Sequence, residues 1–193
     1  MILTDQKTYN GDFIHSRFAY KYFRDDVCAT GNVVAFVAPV EVTLNLIDLE
    51  DALAKDYIYS DSMVNFCWEI PNLDPFGAVC FQRLFNTAIA NILTDILACP
   101  VKMKGDDIMV INEFMSNGIV MPSGKSSVSI TYSKNNVAIG HTGVNIVAGP
   151  KAPGFAYSTN MQPAQARFFQ DSVIEKFYEM TDDIFVATTK IIG

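Results

Sequence analysis

Apolar residues return along this chain in two rhythms, one of period near 3.6 and one of short runs. From Asp74-Pro75 onward, Phe81, Leu84, Phe85, Ala88, Ile89, Ile92, Leu93 and Ile96 recur at helical spacing, while Gln82, Arg83, Asn86, Thr87, Asn91 and Asp95 fall off the stripe. Asp74 can cap, Pro75 suits a first turn, and Pro100 stands just beyond Ala98. The spacing therefore predicts a helix from Pro75 to Ala98 with one face on a sheet. A second helix is predicted from about Pro163 to Thr188, with Ala166, Phe169, Val173, Phe177, Met180 and Ile184 on one side.

The short runs read as strands. Gly31 to Pro39 is β-rich and ended by proline, which predicts a central strand covered on both faces; Met63 to Ile70, ended by Pro71, predicts another. Asp48 to Lys55 has the look of one or two helical turns. Between the long helices, strands are predicted at Ile108 to Phe114, Ile119 to Met121, Ser126 to Ser133 and Val137 to Val147. Ser116-Asn117-Gly118 and Lys134-Asn135-Asn136 separate them as turns, since asparagine and glycine tolerate the positive φ that tight hairpins require. The expected fold is α+β, a mixed or largely antiparallel sheet with helices packed on one face.

Composition narrows this picture. The 193 residues, 50% hydrophobic and 18% charged, suffice for a sizeable core, and no linker or repeat divides them, so one domain over 1–193 is expected. A net charge of −7 argues against nucleic acid, whose binding depends on lysines and arginines displacing counterions. The first residues show no basic start followed by an apolar run, and no apolar stretch reaches about 18 residues, so a cytoplasmic protein is expected. Cys28, Cys67, Cys80 and Cys99 form no Cys-x-x-Cys and are expected to be reduced, buried thiols.

The candidate chemistry centres on three segments: Lys104-Gly105-Asp106-Asp107-Ile108, Gly124-Lys125-Ser126-Ser127, and Ile139-Gly140-His141-Thr142-Gly143-Val144-Asn145-Ile146. Lys125 enters a strand between glycine and serines, where a ligand could approach the backbone and meet a fixed ammonium able to stabilise charge on an acyl or phosphoryl oxygen; it also reads as an ordinary solvated lysine. Asp106 and Asp107 are adjacent, so on a strand only one can face a given site; they read as partners of nucleotide-bound magnesium or as a turn. The spacing of Gly118 and Gly124-Lys125 departs from the phosphate-loop pattern, and a strand follows rather than a helix. His15 and His141 have no carboxylate or thiolate spaced for a metal site, so no metal is expected; His141 reads as a hydrogen-bonding wall residue. Arg17, near His15 in an aromatic run, is a candidate anion contact. Asp48, Glu50 and Asp51 read as a solvated helix start.

Across nearly the whole chain, Gly11 to Tyr20, Gly31 to Val40, Ile47-Asp48-Leu49-Glu50-Asp51, Ile58-Tyr59-Ser60 and Met63-Val64-Asn65-Phe66 resemble an uncharacterised prokaryotic family, the domain of unknown function 366. From Gly31 the order of elements also resembles the catalytic domain of the biotin and lipoate protein ligases. It runs through a Gly-Asn strand, a long helix, an Asp106-Asp107-Ile108 strand like the ligases' Asn-Asp-Leu, a Lys125-Ser126-Ser127 strand, and a His141 to Ile146 strand. The resemblance implies the class II synthetase-like fold and acyl or cofactor transfer, or carboxylate activation through an acyl-adenylate using ATP and magnesium. In it Lys125 would hold the acyl carbonyl, with Asp106, Asp107, Ser126, Ser127, His141 and Gly143 around it and Arg17 and His15 as further substrate-binding candidates. Two features depart from the ligases. Their Arg/Gly-rich clamp is replaced by His15-Ser16-Arg17 and Arg24, and the segment before Lys125 carries its own predicted hairpin. The alternative reading is a non-catalytic binding domain that keeps a ligase-like pocket for a small carboxylate or nucleotide, or keeps the sheet as an interaction surface. Phe155 and Tyr157, beside Pro153-Gly154, suit a homo-oligomer surface or a lid, and the sequence does not choose.

Overall fold

The computed structural model describes residues 1–4, 6–15, 17–111 and 123–191. In chain order the elements are α1 (Ala19–Phe23), β1 (Asn32–Val42), α2 (Leu49–Ala54), β2 (Ile58–Pro71), α3 (Pro75–Leu97), β3 (Val101–Lys104), β4 (Asp107–Val110), β5 (Gly124–Lys125), β6 (Ser127–Lys134), β7 (Val137–Val147) and α4 (Pro163–Thr188). The fold is α+β, as expected: β1-β2-β7-β6 form an antiparallel sheet and β3-β4-β5 a smaller one.

Strand alternation divides the large sheet into two buried faces. Val33, Ala35, Val64, Phe66, Trp68 and Ala138 point to the side covered by α3 and α4, where Phe81, Phe85, Phe169 and Phe177 meet them. Val34, Phe36, Met63, Cys67 and Ile139 point to the other side, against Tyr9, Ile14, Phe18 and Phe23 of the N-terminal segment. The central strands β2 and β7 are therefore buried along continuous runs rather than at alternate residues.

Helices α3 and α4 begin at the predicted residues, α3 with the Asp74 carboxylate accepting from the Gly77 N–H at 2.6 Å. The packed face of α3 is rotated from the predicted stripe: Gln82 and Asn86 are buried, whereas Leu84 is 49% exposed. The cause lies in β6, whose alternate residues Ser127, Ser129, Thr131 and Ser133 give a polar row. Its Ser129 hydroxyl accepts from Gln82 at 2.8 Å and from Asn86 at 3.0 Å. Likewise Ile184, placed on the packed side of α4 by periodicity, is partly exposed.

Strand β1 corrects two expectations. It runs through Pro39 to Val42, and it is an edge strand rather than a central one. Pro39 is tolerated because its missing N–H faces that edge, where its carbonyl instead accepts from the Tyr9 N–H at 2.8 Å; single parallel bridges from Ile2 and Tyr9 cover the rest. Only its first five residues are buried on both faces. Strand β2 starts at Ile58, earlier than predicted. The Asn135-Asn136 turn closes the β6–β7 hairpin with both φ values positive, 52° and 60°. The predicted turn at Ser116-Asn117-Gly118, the strand Ile119 to Met121 and the end of the Ile108 to Phe114 strand lie outside the described residues.

Candidate functional site

Strands β4 and β5 bring Asp107 and Lys125 together. Met109 pairs with Lys125 in register, and the Lys125 ammonium donates to the Asp107 carboxylate at 2.7 Å, both side chains about one third exposed. Behind the lysine, Ser126 and Ser127 are buried and serve the backbone. The Ser126 hydroxyl donates to the Ile108 carbonyl at 3.0 Å, and the Ser127 hydroxyl accepts from the Ile108 N–H at 2.8 Å. These bonds pin β4 to the β5–β6 turn, so the two serines position the ion pair. Asp106 points elsewhere, its carboxylate 3.6 Å from the Arg83 guanidinium on α3.

Segment 45–58 supplies carboxylates that sequence reasoning assigned to solvent. Asp48 caps α2, accepting from the backbone N–H groups of Glu50 and Asp51. Asp51 is half-buried, and its carboxyl is pushed above the usual range by that burial first, then by Asp48 and Asp56, with the positive charge of Lys125 pulling the other way. Asp51 thus lies within the electrostatic reach of Lys125. Asp48 and Asp51 line a small cavity of ≈ 30 Å³ together with Tyr9, Ile14, Ile130 and His141.

His141 is buried in the wall of that cavity, where Nε2 lies 2.9 Å from Asn65 Oδ1 and the ring packs at 4.8 Å from that of Tyr9. Burial lowers its pKa to about 3, so it is neutral and acts as the wall residue the sequence suggested. Gly143 follows on the same face, where an added Cβ would overlap Met63. The Tyr9 hydroxyl and the Asn145 Oδ1 are buried without hydrogen-bond partners among the described residues.

Arg17 and His15 separate. Arg17 Nε donates to Glu69 Oε1 at 2.7 Å, and the Phe18 and Ala19 N–H groups donate to Glu69 Oε2 at 2.9 and 3.2 Å. Arg17 thereby pairs with a buried carboxylate, although its own side chain is 65% exposed. The Glu69 row of the sheet pairs with Ile139, six residues along β7 from Asn145 beside Ser126, a span of roughly 20 Å at about 3.3 Å per residue. His15 lies nearer the cavity, with Nε2 3.4 Å from the carbonyl oxygen of Asn45, a lining residue.

Glu69 itself, the carboxylate inside the apolar run Met63 to Ile70, was the missed signal: a lone acid in a strand buried on both faces must have partners. The thiols correct another expectation, since all four cysteines are free but only Cys67 is buried, Cys80 being exposed. Among the described residues no group of three His, Cys, Asp or Glu side chains is arranged to hold a metal, and no helix is long and apolar enough to cross a membrane.

Residues 1–192 match the model of a family described as Domain of unknown function (DUF366). No curated protein matches the chain. Among solved structures, a protein of unknown function from Pyrococcus horikoshi is similar over 100% of this chain and 97% of its own, with TM-score 0.77 and 22% identity. The biotin protein ligase from Aquifex aeolicus in complex with biotin and ATP is similar over 94% of this chain and 69% of its own, with TM-score 0.55 and 13% identity. A bipartite lipoate protein ligase from Thermoplasma acidophilum is similar over 92% of this chain and 81% of its own, with TM-score 0.51 and 10% identity. The fold is that of the biotin and lipoate ligases.

Proposed function

We propose, for a chain that belongs to the DUF366 family and has the fold of the biotin and lipoate protein ligases, that Lys125 binds the carbonyl of a small acyl compound and promotes acyl transfer from an already activated donor. The observation that carries this reading is the Lys125–Asp107 pair at 2.7 Å. Asp107 takes one of the three ammonium N–H bonds and fixes its direction, which leaves two for a carbonyl oxygen. When a nucleophile adds to that carbonyl, negative charge gathers on the oxygen, and a cation already in place stabilises it without reorganising.

The carboxylates around Lys125 do not fit the magnesium of a nucleoside triphosphate. Asp107 is paired with the Lys125 ammonium at 2.7 Å and Asp106 with the Arg83 guanidinium at 3.6 Å, so neither is free for the ion. The donor is then a compound activated elsewhere, such as an acyl thioester. A second reading, a binding domain without turnover, is favoured by the replacement of the ligases' Arg/Gly-rich clamp with His15-Ser16-Arg17, where Arg17 pairs with Glu69.

The test is thiol release from a short-chain acyl thioester in the presence of a primary amine, run with wild type, Lys125→Ala and Asp107→Asn, alongside thermal shifts with the free carboxylate. Wild type should accelerate release, and Lys125→Ala should lose about 10²- to 10³-fold in kcat, the usual effect of removing one oxyanion donor. Asp107→Asn should lose less, since the lysine remains. A thermal shift in wild type that disappears in Lys125→Ala, without thiol release, would establish the binding reading. Neither shift nor release with any chain length would overturn both.

A further inference from the structure

On the opposite side of the sheet from His141, between α3, the end of α4 and the end of β2, lies an apolar cavity of ≈ 240 Å³. Ile70 and Phe81, each 6% exposed, form its floor, and Leu84 and Ile184, 49% and 41% exposed, stand at its mouth. Leu73 completes the apolar wall. The two threonines that line it have hydroxyls engaged elsewhere: Thr30 donates to Asp182 at 2.8 Å and Thr181 to the Tyr178 carbonyl at 3.2 Å. Among the described residues no charged side chain lines the cavity. Past Leu84 and Ile184 it continues into a furrow of ≈ 400 Å³ between α3 and α4, bordered by Ala88, Ile92 and Met180 with Lys176 and Asp183 at its sides.

We propose that this cavity is a second ligand site, for a small uncharged molecule with an aliphatic chain that enters between Leu84 and Ile184. Three features carry the assignment. The floor is buried, which distinguishes the cavity from the flat, half-exposed face of a helix pair. The lining offers no partner to a charge, and an unpaired charge is strongly disfavoured in such a place. The volume is suitable as well: an apolar cavity of about 150 Å³ takes benzene, so ≈ 240 Å³ accommodates a chain of roughly eight carbons. Such a ligand would lie on the helix side of the sheet, against α3 and α4, and would leave the carbonyl-binding role of Lys125 untouched.

Cys80 lines the cavity and is exposed, so it reports occupancy, while Cys99, two residues beyond the C-terminal end of α3, serves as an internal reference. The experiment follows alkylation of each thiol in the full chain by iodoacetamide, read by peptide mass spectrometry, with and without 1-octanol. If octanol occupies the cavity, Cys80 alkylation slows by the factor 1 + [L]/Kd, about tenfold at ten times the dissociation constant, while Cys99 is unchanged. Leu84→Glu and, separately, Ile184→Glu should abolish the protection, and octanoate should protect less than octanol. Lys125→Ala should keep it. The proposal falls if Cys80 reacts at one rate up to octanol saturation, if Cys99 slows equally, or if both mouth variants keep the protection. It also falls if Cys80 is protected at high protein concentration without octanol, which would give this face to a second copy of the chain.

Discussion

Glu69 shows how strongly a single buried carboxylate can dictate local structure. It is 1% exposed and accepts three hydrogen bonds, two of them from the buried backbone at Phe18 and Ala19. Glu69→Ala would leave those two N–H groups without acceptors, at about 1–3 kcal/mol each, so a loss of about 3 kcal/mol in urea unfolding is expected. Arg17→Met should also destabilise, by stranding the carboxylate, yet leave acyl-ligand affinity at Lys125 within twofold of wild type by titration, roughly 0.4 kcal/mol. A tenfold loss would restore Arg17 as an anion contact. His141 sets a pH dependence at the same scale. Its folded pKa, about 3, lies below the ordinary 6.5, so the unfolded chain binds its proton first as pH falls. The contribution is complete above pH 6.5 and is lost between 6.5 and about 3, at up to roughly 1.4 kcal/mol per pH unit. His141→Gln can keep the bond to Asn65 and should flatten the slope of stability against pH across that window.

At the scale of elements, the polar stitch between α3 and the sheet is the feature most open to test. Asn86, fully buried, donates to the Asp106 carbonyl and to Ser129, both at 3.0 Å, and accepts from the Thr142 hydroxyl at 2.7 Å. Asn86→Leu removes these partners from three elements at once and should cost about 3 kcal/mol. It should also weaken ligand binding at Lys125, because the β3–β4 turn that carries Asp107 is held by that carbonyl bond. Retained affinity in a folded Asn86→Leu would detach the stitch from the site. The same residue explains what the sequence could reveal. The bounds of α3, α4 and β7 were legible because caps, prolines and asparagine turns act within a few residues. The rotation of α3 was not, since Gln82 and Asn86 look like solvent-facing residues until β6 presents Ser129 to them. The edge position of β1 was hidden for a similar reason: an N-terminal segment with no strand periodicity covers it through isolated bridges. Of the candidate site, the approach of the Asp106-Asp107 strand to the Lys125 strand was legible from the order of elements, whereas the choice of Asp107 over Asp106 as the partner of Lys125 was not. The roles of Ser126, Ser127 and Arg17 were not, because each depends on a partner distant in sequence.

For the whole molecule, the decisive fact is that two apolar clusters share one sheet. The cluster under α3 and α4 and the cluster under the N-terminal segment are the two sides of β1, β2 and β7. Stripping either cover exposes the back of strands the other still needs, so neither half has a core of its own. The expectation is that residues 1–193 unfold as one cooperative unit. Calorimetry should give one transition with a ratio of calorimetric to van't Hoff enthalpy near one, and tyrosine fluorescence should coincide with far-ultraviolet circular dichroism. The N-terminal cover is the place to look for departure, since Phe13 stacks there on Phe36 and Tyr22 while Tyr9 meets Phe36 edge-on. If that cover were a separately folding unit, the tyrosine signal would change first, leaving a sheet with its helices still attached. Such a species would expose Val34, Phe36 and Met63 together, a buried surface with no other partner. Its accumulation, visible as binding of a hydrophobic dye before the main transition, would overturn the single-unit expectation. It would also mark the N-terminal segment as a cover able to open over the cavity that Tyr9 and Ile14 line beside His141.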